Sequence, residues 1–101
     1  MRQPPTHPGE IFEEEFRKFT IYSQAGAARA MGIAVVDLNG IVKGNRRVTP
    51  EKAVIFEKFT GASAEFWMNL QSAWDLWHAY RDNDVSKVKR AEMDMEKAPD
   101  A

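Results

Sequence analysis

At 101 residues, with 44% hydrophobic and 29% charged positions and only 6 Gly and 5 Pro, the chain has the size and composition of one globular domain around one core. No apolar stretch approaches the ~20 residues that cross a bilayer, and the N-terminus lacks a charged-then-apolar signal layout, so a cytoplasmic protein without membrane association is expected. The absence of cysteine excludes a disulfide framework and a thiolate metal site.

Residues 1–6 carry two prolines and no periodicity, and read as a flexible arm. Pro8 opens a first helix over roughly 8–19. Its acids Glu10, Glu13, Glu14 and Glu15 suit the helix dipole, and Ile11, Phe12, Phe16 and Phe19 recur at helical spacing. Ser23 caps an Ala-rich helix from Gln24 to Met31, which Gly32 ends in the left-handed conformation. A third helix over 34–43 draws its apolar positions from Val35, Leu38, Ile41 and Val42 and stops at Gly44. Gly26 and Gly40 each cost about 1 kcal/mol relative to Ala inside these helices, so each needs a structural reason.

Thr49-Pro50-Glu51 is a helix start, and the fourth helix runs to about Phe59 with Val54, Ile55 and Phe59 inward. After Gly61, Ser63 caps the longest pattern, Ala64 to about Arg81. At about 100° per residue Phe66, Trp67, Leu70, Ala73, Trp74, Trp77 and Tyr80 fall on one broad arc, with Gln71, Ser72 and Asp75 assigned to the opposite side. Phe66 and Leu70 are expected in the core, whereas Trp67, Trp74 and Trp77 are more indole than a small domain covers and are expected in a two-fold homodimer interface. Residues 82–101 have only Val85 and Val88 as anchors and read as a short helix or tail.

The net charge of -1 argues against nucleic-acid binding only if charge is spread evenly, and it is not. Segment 43–58 holds Lys43, Arg46, Arg47, Lys52 and Lys58 against Glu51 and Glu57, five minus two, a local +3, far in sequence from the Glu10–Glu15 cluster. Between the acidic and basic segments lies a sharper pattern. A helix-turn-helix needs a small residue where its helices touch, a Gly in the turn, and two branched apolar residues that hold the second helix at its crossing angle. Ala28, Gly32, Leu38 and Ile41 supply them at spacings of four, six and three. On a generic bundle Gly32 is merely a helix stop, but Val35 and Val36 cannot both face inward together with Leu38 and Ile41. An exposed valine on a groove-lying helix can meet a thymine methyl.

Around this motif the chain resembles the HigA family of antitoxins, within the phage-repressor-like helix-turn-helix group. The resemblance rests on His7-Pro8-Gly9-Glu10, Phe16, Ser23-Gln24, Met31-Gly32, Ile41-Val42-Lys43-Gly44, Arg46-Arg47, Thr49-Pro50 and, most specifically, the run Gly61 to Gln71 with Glu65-Phe66-Trp67 at its centre. It implies an all-α, five-helix DNA-binding domain over 7–81 that includes a dimerising helix. It also implies that the protein represses its own operon and neutralises a partner resembling HigB, an mRNA-cleaving ribonuclease toxin. Many members carry Arg and Asn at the start of the recognition helix, where this chain has Ala34, Val35, Val36 and Asp37. Asp cannot make the arginine–guanine contact.

The expected DNA-binding set is Ser23, Gln24, Val35, Val36, Asp37, Asn39, Lys43, Arg46 and Arg47. Gln24 and the basic residues would hold phosphates, and Asn39 and the valines would read bases. Weak readout, readout through Asn39 and thymine methyls, and lost readout all stay open. Two rivals to an antitoxin and autorepressor are a phage-type repressor without a toxin and a protein-interaction module that has lost DNA affinity. With two histidines seventy-one residues apart, no nucleophile elbow and no phosphate-binding glycine loop, neither a metal, a cofactor nor an enzymatic activity is expected. For the toxin contact the candidates are the acidic first helix and the tail, by charge complementarity.

Overall fold

The computed structural model describes residues 3–94 and 96–97. The first two residues of the expected arm, and Met95 and residues 98–101 of the expected tail, lie outside them. The described residues form five α-helices and no strand: α1 (Pro8–Glu15), α2 (Gln24–Met31), α3 (Val35–Val42), α4 (Pro50–Thr60) and α5 (Ala64–Asp82). Three helix starts carry the caps their sequences announce. The hydroxyls of Ser23, Thr49 and Ser63 accept from the backbone N–H of Gly26, Lys52 and Phe66 at 3.0, 3.3 and 3.1 Å. The fourth is less obvious. His7 caps α1 with its ring, Nδ1 accepting from Gly9 N–H at 2.9 Å, so the ring proton sits on Nε2.

The first helix is shorter than its periodicity suggests. It ends at Glu15, and a 3-10 turn, Arg17–Phe19, follows. Arg17 pairs with Glu13 on the helix while its Nη1 donates to the carbonyl of Tyr22 at 3.0 Å, which draws the chain round and leaves Phe19 81% exposed instead of in the core. The Arg17 bond also holds the Glu13 carboxyl below its usual range.

The core is an aromatic stack with a small-residue floor. Phe12 stacks on Phe56 at 4.5 Å, Trp67 meets Phe56 edge-on at 5.1 Å, and Ala27, Ala28, Leu38, Ile41, Val48 and Ala53 close the space around them. Two expectations for α5 are corrected here. Trp67 is fully buried within one chain and has no surface to offer a partner, while Phe66, expected inside, is partly exposed. Gln71, assigned to the polar side, is buried because its amide is needed there. Its Oε1 accepts from Val48 N–H at 2.7 Å, pairing a backbone group that no helix satisfies. Gly9 is fixed by a close approach, since a Cβ there would lie 1.7 Å from the Ile41 carbonyl oxygen; α1 therefore touches α3 backbone to backbone. Beyond α5 the described residues through Asp94 form no helix, and Val85 and Val88 are exposed rather than anchoring.

Candidate nucleic-acid interface

Helices α2 and α3 meet at 119° across a three-residue turn, Gly32 to Ala34, in which Gly32 takes φ 70°. The Ile33 N–H bonds back to the Ala28 carbonyl at 3.0 Å, tightening the turn. Ala28, Leu38 and Ile41 are buried as the motif requires. Their burial sets the rotation of α3, so that Val36, Gly40 and Lys43, at helical spacing, form its outward strip. Both valines are uncovered, Val35 at 48% and Val36 at 64% exposed.

Polar residues flank this strip on both sides. Toward α2, Asn39 Nδ2 donates to Gln24 Oε1 at 2.9 Å, and Gln24 Nε2 in turn reaches Glu13 at 3.5 Å. The two amides expected to act separately, one on bases and one on phosphate, are thus joined and orient each other. Ser23 Oγ is occupied by its capping bond. Toward α4, Arg46 pairs with Asp37 on the recognition helix, and Arg47 Nη2 pairs with Asp75 on α5 at 2.8 Å. Asp75 also accepts from Gln71 Nε2 at 2.9 Å, so a continuous chain runs from Val48 through Gln71 and Asp75 to Arg47, fastening the loop after α3 to α5. Both ion pairs are exposed enough that each is worth about 1 kcal/mol or less, so a phosphate or base can displace either carboxylate at small cost. Lys43 is exposed on the outward strip. Lys52 and Thr49, on the first turn of α4, line the same groove as Asp37, Arg46 and Arg47. Neither stood in the expected set. The signal was present in the sequence as the basic count that included Lys52.

The apolar residues of α5 divide between two faces. Trp67, Gln71, Trp74 and His78 point inward, whereas Ala73, Leu76 and Tyr80 lie outside, with Leu76 51% and Tyr80 61% exposed. Trp77 lies between, half-buried under Arg81 at 5.0 Å and beside His78. Pro5 and Gln3 of the N-terminal segment border the same surface next to Leu76 and Trp77. Trp74 is held between the two histidines, 4.9 Å from the His7 ring and 4.5 Å from that of His78, which binds the start of α1 to α5. Burial lowers the pKa of His7, against the opposing pull of Asp75 and Glu10. Among the described residues no group of three His, Asp or Glu side chains could hold a metal ion, and no single helix is long and apolar enough to cross a membrane.

A bent helix pair closed by a left-handed Gly, with its second helix anchored by Leu38 and Ile41 and its outer face turned away from the core and flanked by cations, defines a helix-turn-helix DNA-binding protein. No protein-family model matches the sequence. Individual proteins do. An HTH-type transcriptional regulator of Escherichia coli K12, YddM, is 36% identical over 83 residues, 82% of this chain and 87% of that protein. The solved structure of the antitoxin GraA is 35% identical with a TM-score of 0.82, covering 89% of this chain and all of its own. The Pseudomonas aeruginosa antitoxin HigA, solved with the higBA promoter, is 39% identical with a TM-score of 0.75, covering 78% of this chain and 86% of its own. The chain belongs to the HigA family of helix-turn-helix antitoxins.

Proposed function

We propose that the protein binds the operator of its own transcription unit in the cytoplasm as a two-fold dimer, with α3 of each protomer in the major groove, and that it neutralises a toxin resembling HigB. The observation that carries the DNA reading is the outward strip of α3, Val36, Gly40 and Lys43, flanked by the Gln24–Asn39 pair on one side and by Arg46, Arg47 and Lys52 on the other. Apolar side chains at 35 and 36 suit thymine methyls, and among the flanking groups Gln24, Arg47 and Lys52 suit phosphates.

The dimer surface is proposed on the outer face of α5, with Leu76, Tyr80 and the bordering Trp77 and Pro5 in place of Trp67; Trp74 contributes by fixing the helix from within. Two-fold symmetry would set the two recognition helices about one DNA turn apart. For the toxin, the acidic face of α1 is a weaker candidate than its sequence suggested, because Glu13 and Glu14 are paired with Arg17 and Lys18. The exposed segment after α5 remains available.

A salt titration of binding to the DNA upstream of the reading frame, beside a scrambled duplex of equal length, tests the reading. Operator preference of about a thousandfold or more, with affinity falling at a slope near -0.9 per neutralised phosphate, supports it. Equal, weak binding to both would overturn it. That result would favour the interaction-module reading.

A further inference from the structure

Arg46 does not extend away from the loop that carries it. The left-handed Gly44, φ 79°, turns the chain after α3, and the backbone N–H groups of Asn45 and Arg46 both donate to the Gly40 carbonyl, at 2.8 and 3.0 Å. The Arg46 side chain then folds back along the recognition helix. A Cβ on Gly40 would stand 2.7, 2.8 and 3.0 Å from its Cδ, Cγ and Nε, so the stem occupies the space a side chain at position 40 would fill. Its Nη1 is held by Asp37, one helical turn back on the same side of α3. These contacts give Gly40 the structural reason its helix-breaking tendency demanded.

We propose that Arg46, seated over Gly40 and oriented by Asp37, is the guanine-reading arginine of this protein, supplied by the loop instead of by the helix, with Asp37 as its positioning residue. The inference rests on the operator-binding reading above. Three physical points carry it. Arginine presents five N–H donors in a planar fork, and Asp37 engages Nη1, leaving donors on Nη2 for a base edge. A side chain already partly ordered by stem packing over Gly40 and by a carboxylate loses less freedom when it binds. A carboxylate beside the guanidinium repels phosphate oxygens, so the pair is poorly suited to the DNA backbone and well suited to the groove, where guanine O6 and N7 accept and the neighbouring cytosine amine can donate to Asp37.

The test is a set of operator duplexes, each with one base pair changed, titrated with the intact protein and with Arg46→Ala, Arg46→Lys, Asp37→Asn and Gly40→Ala. For the intact protein one G·C pair per half-site should matter by roughly tenfold to a hundredfold. Arg46→Ala should erase the preference at that pair alone. Arg46→Lys, which keeps the charge without the fork, should restore little of it. Gly40→Ala should fold at least as stably as the parent while losing the same preference, and Asp37→Asn should lose part of it. Arg46→Ala weakening every duplex equally, with the salt slope shallower by about one and Arg46→Lys rescuing, would make Arg46 a phosphate contact and overturn the inference while leaving operator binding intact. An intact protein that prefers no duplex overturns the operator reading and this inference with it.

Discussion

The two faces of α5 look alike in the sequence and differ in the molecule. Trp67, Gln71, Trp74 and His78, spaced four, three and four apart, lie against the core and the start of α1, whereas Ala73, Leu76 and Tyr80, rotated around the same helix, are exposed. At about 100° per residue these faces are adjacent, so together they mimic one wide aromatic stripe. An apolar residue on a helix therefore reports burial or an uncovered contact surface, and the residue types do not distinguish them. The buried glutamine and exposed leucine here reverse the usual preference, because the first completes the backbone of Val48 and the second lies on the face proposed to dimerise.

The largest expected effect falls on the inner face. Trp67→Ala removes the centre of the aromatic stack and should cost about 3–5 kcal/mol in urea unfolding. A change of less than 1 kcal/mol would place Trp67 outside the core after all. Gln71→Leu keeps volume but strands the Val48 N–H and releases Asp75, and about 1–3 kcal/mol should be lost. Weakened DNA binding is expected alongside, because the anchor of Arg47 loosens.

His7 should show the same face through pH. Its Nδ1 must stay unprotonated to accept from Gly9, and its pKa is lowered from 6.5 chiefly by burial. The unfolded chain therefore binds the proton first. Stability contributed by neutral His7 is fully present above pH 6.5 and is lost as pH falls from there through the lower folded value. Urea midpoints measured from about pH 8 down to pH 5 should decline below 6.5, and His7→Asn, which keeps a capping acceptor, should flatten that decline. An unchanged slope in the variant would assign the decline to a group other than His7.

The smallest effect on folding belongs to the outer face. Leu76→Asp should change monomer stability by only about 0.5 kcal/mol. Sedimentation should nevertheless show the variant as a monomer at concentrations where the parent is dimeric. A dimer that survives both Leu76→Asp and Tyr80→Asp would move the interface off this face.

Local chemistry was legible along the chain wherever it is decided within a few residues. Ser23, Thr49 and Ser63 cap because a hydroxyl reaches the N–H three positions on, and Gly32 turns because only its lack of a Cβ makes φ 70° inexpensive. Ala28, Gly32, Leu38 and Ile41 defined the helix-turn-helix for the same reason, since all its constraints lie within fourteen residues. The end of α1 was not legible, because Glu15 is followed by more residues at helical spacing and the turn depends on Arg17 reaching the carbonyl of Tyr22.

What only the tertiary structure decided are the partnerships across sequence. Gln71 with Val48, Arg47 with Asp75, Asn39 with Gln24, and His7 with Trp74 lie 15 to 67 positions apart, and no periodicity encodes them. The amino-acid sequence by itself determined where the helices start, which pair forms the DNA-binding motif and which of its side chains anchor α3. The packed fold decided which aromatic side of α5 is interior and where each cation near the recognition helix points, because burial and charge pairing are set by neighbours that only the folded chain brings together.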